Sequence, residues 1–277
     1  MASDELATVC FLARKLQRPL FLEGEPGVGK TALASAMATA FGLPLFRLQC
    51  YEGLDASQAL YDWDFRKQLL YLRSNEVNQG SALEHSTFET TLYDRRFLLP
   101  RAVLQAFEAS PSVLLIDEID RADDEFEAFL LEALSEFSIT IPELGTVKPS
   151  TPPLVIVTSN RTREVHDALK RRCLYHWLDH PSRELESIIL QRKLAGLSVE
   201  LADEITNATQ RLRTTALLKA PGMAESLDWA AALMALDVHK LDREAISRTI
   251  GTLLKYREDQ VHVRRDDFQA FLSAFTT

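Results

Sequence analysis

The chain of 277 residues sets 40 Asp and Glu against 31 Lys and Arg, a formal charge of −9, and 46% of it is apolar. That length supports one large core or a medium core with a satellite domain, and the acidic balance argues against tight nucleic-acid binding, which depends on neutralising phosphates with basic side chains. Cys10, Cys50 and Cys173 are scattered without metal-ligand spacing, no apolar run reaches bilayer length, and Ala2-Ser3-Asp4-Glu5 lacks a signal peptide's positive start, so a cytoplasmic protein without membrane insertion is expected.

The first predicted strand, Pro19-Leu20-Phe21-Leu22-Glu23, runs into Gly24-Glu25-Pro26-Gly27-Val28-Gly29-Lys30-Thr31 and then into the helix-forming run Ala32-Leu33-Ala34-Ser35-Ala36-Met37. Glycines between a strand and a helix let successive N–H groups turn inward while the helix presents its positive end, so Gly24 to Ala32 are expected to cradle the triphosphate of a nucleotide. Lys30 would reach the β- and γ-phosphates, and the Thr31 hydroxyl would face Mg²⁺. Further on, core packing is the expectation for Trp63 within Tyr61-Asp62-Trp63-Asp64-Phe65, and the same holds for Trp177 and Trp229. Residues Arg73 to Ser86 are polar and read as a loop or insert, while Arg95, Arg96 and Arg101 read as a solvated or subunit-facing group.

Val113-Leu114-Leu115-Ile116 has the unbroken apolar character of a strand buried on both faces of a parallel sheet, and it ends in Asp117-Glu118. Asp117 is expected to hold Mg²⁺ through its water shell, and Glu118 to orient and deprotonate the water that attacks the γ-phosphate. The pair could instead cap a helix, since Ile119 to Leu134 reads as one. Alternation over Phe137 to Val147 predicts a hairpin turning near Leu144-Gly145, either a client-contacting loop or a subunit packing element. A third buried strand, Leu154 to Ser159, ends at Asn160, placed to bond the attacking water or the γ-phosphate, or else to serve as a turn residue. Three strands that each end in polar chemistry follow the rule that open α/β sheets carry their sites at the strands' carboxyl ends. From Pro181 onward the apolar residues recur at helical spacing: Leu201, Ile205, Ala208, Leu212; Leu227, Ala231, Met234, Val238; Ile246, Ile250, Leu253, Leu254; and Phe268, Phe271, Leu272, Phe275. The fold class is therefore α/β, a parallel sheet sandwiched by helices over residues 1–180, followed by a small all-helical lid over residues 181–277.

These residues resemble the AAA+ P-loop ATPases. Gly24 to Thr31 looks like Walker A, Val113 to Glu118 like Walker B and Asn160 like sensor 1; Asp167-Ala168-Leu169-Lys170-Arg171-Arg172-Cys173 looks like the segment that carries an arginine finger, with Arg172 the first choice and Arg171 the second. Such a finger completes the pocket of a neighbouring subunit. Tyr61 to Leu70, Ile116 to Ala122, Thr158 to Glu164 and Ala224 to Trp229 make the chain similar to the MoxR branch, and within it to the CoxD-like ATPases. That resemblance implies a hexameric or ring-like ATPase working with a von Willebrand factor A domain partner to remodel or complete a metalloenzyme client, with the carbon monoxide dehydrogenase active site as the type case. Where many MoxR proteins carry a sensor 2 arginine, this chain offers Glu225 in Pro221-Gly222-Met223-Ala224-Glu225; Arg211 or Arg213 could supply the charge, or else both lie on an exposed helical face. Two other readings use the same nucleotide chemistry: a DNA-processing motor, and a nucleotide-dependent switch or scaffold.

Overall fold

In a computed structural model that describes residues 3–78 and 92–265, the chain runs α1 (Asp4–Leu16), β1 (Leu20–Glu23), α2 (Lys30–Phe41), β2 (Leu45–Gln49), α3 (Ala56–Leu60), β3 (Tyr61–Trp63) and α4 (Phe65–Asn78). It continues with β4 (Leu98–Pro100), α5 (Ala102–Glu108), β5 (Val113–Asp117), α6 (Asp124–Glu136), β6 (Ile139–Ile141), β7 (Gly145–Val147), β8 (Leu154–Ser159), α7 (Asp167–Arg172) and β9 (Leu174–Trp177). The helices α8 (Arg183–Lys193), α9 (Val199–Arg213), α10 (Met223–Ala235), α11 (Arg243–Leu253) and α12 (Arg257–Arg265) follow. Two compact units divide these elements: residues 3–23 with Lys30–Trp177, and Gly24–Gly29 with residues 178–265.

The first unit is built on a five-stranded sheet in the order β2-β5-β8-β1-β9, parallel throughout. Its interior strands β1, β5 and β8 are buried at every residue, which is why they read as continuous apolar runs; the edge strands β2 and β9 are partly exposed and tolerate Arg47, Gln49 and His176. Phe21, Phe107, Leu114, Ile116, Phe126 and Val157 belong to its core, each worth about 1.5–3 kcal/mol of transfer free energy. Two antiparallel ribbons, β3-β4 and β6-β7, stand apart from the sheet, and in the second Ile141 pairs with Gly145 around the expected turn.

Several local expectations change. Arg73 to Asn78 is the continuation of α4 rather than loop, because Asp64 accepts the Lys67 N–H at 2.9 Å and starts a helix that runs to Asn78; the rest of the expected insert lies outside the described residues. Ile119 to Leu134 is not one helix: Ile119–Arg121 is a 3-10 turn, Ala122 is extended, and α6 begins at Asp124. The break has a tertiary cause, since the buried Asp120 carboxylate accepts from Asn160 N (3.2 Å), Thr162 N (2.9 Å) and Thr162 Oγ1 (2.6 Å) and ties this turn to the loop after β8. Trp177 is only partly buried and belongs to no core cluster, with Arg161 5.7 Å from its ring centroid, whereas Trp63, also partly buried, packs against the core as expected and meets Tyr61 and Tyr93 edge-on. The basic group of the first unit is solvent-exposed, as the solvated reading has it, and makes surface contacts, Arg95 pairing with Glu108, Arg101 with Asp62, and Arg96 lying over Tyr71.

In the second unit Ile205, Leu212, Ile246 and Ile250 line the helical core, as their spacing predicts. On α10 the fully buried face is Met223, Ser226, Trp229, Ala230 and Leu233; of the expected stripe Leu227, Met234 and Val238 pack against this core while partly buried, and Ala231 is exposed. The Phe268, Phe271, Leu272 and Phe275 stripe lies outside the described residues. Trp229 sets the face of α10, because its fully buried indole N–H donates to Thr249 Oγ1 at 2.7 Å on α11. Thr249→Val keeps the shape and strands that donor, so it is expected to cost about 1–3 kcal/mol, read as an earlier urea midpoint of the full chain. Among the described residues no helix is long and apolar enough to cross a membrane.

Candidate active site

Asp117 ends β5 and is 2% exposed. Sheet register sets Gln49 of β2 opposite it, and Ile116 opposite Val157, so the next residue of β8, Thr158, also reaches the acid. Its Oδ1 accepts from Thr158 Oγ1 at 2.6 Å and Thr31 Oγ1 at 3.1 Å; its Oδ2 accepts from Thr31 Oγ1 at 3.1 Å and from Arg47 Nη2 at 2.6 Å and Nε at 3.0 Å. Thr31 and Asp117, the two expected magnesium residues, are thus in direct contact. Thr158 Oγ1 also accepts the Glu118 N–H at 2.9 Å, so one buried hydroxyl positions both acids.

Glu118 lies in the left-handed region, φ 57° and ψ 52°, a conformation that costs a non-glycine residue about 1–3 kcal/mol and clusters at functional sites. Its side chain does not cap the turn that follows. The carboxylate is held by three donors: Asn160 Nδ2 at 3.2 Å on Oε1, and Gln49 Nε2 at 3.0 Å and Arg121 Nη1 at 3.2 Å on Oε2. Asn160 therefore sits against Glu118 at the carboxyl end of β8. Gln49, Arg47, Thr158 and Arg121 have no role at the site in the sequence expectations, and only the i, i+2 spacing of Arg47 and Gln49 on an otherwise apolar strand signalled a shared polar face.

Lys30 is buried and opens α2, whose first turn contains no acid to offset the helix's positive end. Ala32 is exposed on that turn, whereas Val28 is buried. Gly24 admits no side chain, since a Cβ there would lie 2.3 Å from the Leu178 carbonyl oxygen. Gly27 has φ +82° and its carbonyl accepts the Met223 N–H at 3.1 Å, so the first turn of α10 meets the loop through backbone. Glu225 is turned back to accept the Gly222 N–H at 3.0 Å, which spends the acid on capping its own helix. The expectation that Arg213 replaces a sensor arginine fails: its Nη1 and Nη2 bind Glu186 at 2.7 and 2.9 Å and its Nε binds the Pro221 carbonyl at 2.7 Å, and Ser226 donates to the same buried Glu186. A guanidinium that neutralises a wholly buried carboxylate is committed to the fold. Arg211 is exposed on α9.

Arg171 and Arg172 end α7, both exposed. The backbone beneath them is fixed by Arg18, which donates to the carbonyls of Arg171 at 2.8 Å and Arg172 at 3.2 Å, and Arg172 Nη1 rests on the Leu131 carbonyl at 2.9 Å. Lys170, beside them, pairs at 2.8 Å with Glu23 at the end of β1. Burial pushes the Cys50 and Cys173 thiols up to about 12, reinforced at Cys50 by Asp117, so neither is a nucleophile. Burial and then the hydrogen bond to Glu23 likewise raise the Tyr175 hydroxyl to about 12.

Among the described residues no group of three or more His, Cys, Asp or Glu is placed to hold a metal ion. The oxygen pair Thr31 and Asp117 fits magnesium, which is held by one or two protein oxygens, phosphates and waters.

Residues 19–173, more than half of the chain, match the family model described as AAA domain (dynein-related subfamily). The chain belongs to that family. It is accordingly a P-loop ATPase of the AAA+ class, and the match encloses Gly24 to Thr31, Asp117, Glu118, Asn160, Arg171 and Arg172. Curated relatives include the ATP-dependent zinc metalloprotease FtsH 3 of Conexibacter woesei, 24% identical over 92% of this chain and 31% of that protein, and spastin of Anopheles gambiae, 26% identical over 66% of this chain and 19% of that protein. Midasin of Giardia intestinalis is 44% identical over 21% of this chain and 1% of its own length. The chain thus spans less than a third of each of these relatives. Among solved structures, a point mutant of Thermotoga maritima RuvB covers 99% of this chain and 81% of its own at a TM-score of 0.50 and 15% identity, a likeness of fold alone.

Proposed function

We propose that this AAA-family chain is a magnesium-dependent ATP hydrolase of the MoxR type, CoxD-like subgroup, that works as a ring of copies in the cytoplasm, a hexamer by that resemblance. Its client is a metalloenzyme whose active site it remodels or completes, of the molybdenum carbon monoxide dehydrogenase kind, with a von Willebrand factor A domain partner. The observation that carries the hydrolase reading is the junction of Thr31, Asp117, Glu118 and Asn160 at the ends of β5 and β8. The subgroup reading rests on Tyr61 to Leu70 and Ala224 to Trp229.

In this reading the N–H groups of Gly24 to Ala32 bind the phosphates, Lys30 reaches the β- and γ-phosphates, and Thr31 and Asp117 hold the ion. Magnesium, when bound, neutralises charge on the transferred phosphoryl group. Glu118 Oε takes the proton of the attacking water, Asn160 orients that water, and Arg172, or Arg171, reaches the neighbouring copy's γ-phosphate. Residues 1–180 act as the nucleotide-binding domain and residues 181–277 as its lid. The test is ATP turnover of purified protein with magnesium across protein concentration. The rate per subunit is expected to rise on assembly; a flat rate sinks the shared pocket, and DNA-stimulated turnover with steep salt dependence favours the DNA motor.

A further inference from the structure

We propose that Arg47 is a resident counter-cation for Asp117, displaced when magnesium arrives with nucleotide, and that it sets the magnesium concentration at which the site loads. The inference rests on the ATPase reading above. A carboxylate offers about four lone-pair positions. At Asp117 these are already addressed by Thr158 Oγ1 at 2.6 Å, by Thr31 Oγ1 at 3.1 Å from both oxygens, and by two nitrogens of Arg47 at 2.6 and 3.0 Å. A water from a magnesium shell needs one of those positions, so one donor must withdraw.

Only Arg47 is free to do so. Thr158 is fully buried and simultaneously receives the Glu118 N–H, and Thr31 faces the same ion itself. The Arg47 side chain is 52% exposed on the edge strand β2, so its guanidinium recovers hydration on leaving. A buried carboxylate without a cation is costly, and the exchange keeps Asp117, 3% exposed at its side chain, paired before and after. The departure also has a route to the base: Arg47 Nη2 donates to Gln49 Oε1, and Gln49 Nε2 donates to Glu118 Oε2 at 3.0 Å. Withdrawing the guanidinium therefore removes a donor that orients the amide holding Glu118, and ties the freedom of Glu118 to the arrival of the ion.

The test binds a fluorescent ADP to the full chain and varies magnesium, for the wild type, Arg47→Gln and Arg47→Lys. Loss of a charge-assisted competitor is expected to lower the half-saturating magnesium concentration about ten-fold in Arg47→Gln. Arg47→Lys, a charge without the bidentate fork, is expected to shift it less and in the same direction, and it carries the test if Arg47→Gln does not fold. The thermal midpoint without ligand is expected to fall in Arg47→Gln while the midpoint with magnesium and ADP stays near that of the wild type. An unchanged magnesium midpoint, or equal loss of thermal midpoint with and without ligand, makes the pair a fixed structural contact and overturns the proposal. A wild type that binds no ADP at any magnesium concentration overturns the ATPase reading itself, a result distinct from normal binding with an unchanged midpoint.

Discussion

Glu118→Gln is expected to lower single-turnover ATP cleavage by about 10²–10⁴-fold, the usual worth of a general base, while nucleotide retention on a filter is kept. The expectation follows from where the acid stands. Its neighbour Asp117 is held by Thr31, Thr158 and Arg47, so changing Glu118 leaves the expected ion-holding pair untouched. The amide is nearly isosteric and still accepts a bond from Asn160, which donates to Glu118 Oε1 at 3.2 Å. It lacks a proton-accepting charge, however, and its NH₂ group meets two donors, Gln49 Nε2 and Arg121 Nη1, on the other side. The variant therefore separates two roles. Cleavage at the wild-type rate removes Glu118 as base, whereas lost retention makes it part of the binding framework.

What the sequence revealed, and what it hid, follows the distance over which each feature is decided. The interior strands were legible because burial on both faces demands unbroken apolar runs, and β1, β5 and β8 have them. Lys30, Thr31, Asp117, Glu118 and Asn160 were legible as candidates because each ends or follows such a strand. Arg47, Gln49 and Thr158 were not, since they reach the acids only through the register of β2 with β5 and of β5 with β8, which no local pattern records. The stripe on and just after α10 was legible in part. Leu227, Met234 and Val238 do pack against the core, Ala231 does not, and the deeper face is set by Trp229 finding Thr249 on another helix. The helix expected from Ile119 is broken by Asp120, a residue whose bonds lie with Asn160 and Thr162. Glu225 stands where the resemblance leads one to expect an arginine, and its bond to the Gly222 N–H, which caps its own helix, is a role that its motif position does not record.

Arg172→Ala is expected to lower turnover of the assembled protein by about 10³–10⁵-fold without loss of nucleotide binding, the scale of an arginine finger supplied from a neighbouring subunit. The geometry of α7 suits that task. Arg18 bonds the carbonyls at the helix end and both arginine side chains are exposed; the bond of Arg172 Nη1 to the Leu131 carbonyl is at an exposed position and is cheaply exchanged for a phosphate. Lys170, anchored on Glu23, holds the same helix to the strand that leads into the phosphate loop. Mixing supplies the decisive measurement. Subunits with Arg172→Ala keep Glu118, and subunits with Glu118→Gln keep Arg172, so a ring containing both recreates complete pockets where the intact halves meet, and turnover is expected to recover in part. Absence of recovery, together with an equal loss in protein too dilute to assemble, places the action of Arg172 within its own subunit. A large loss in Arg171→Ala, with Arg172→Ala near the wild-type rate, moves the finger one residue earlier on a helix whose anchoring by Arg18 and Lys170 serves either side chain.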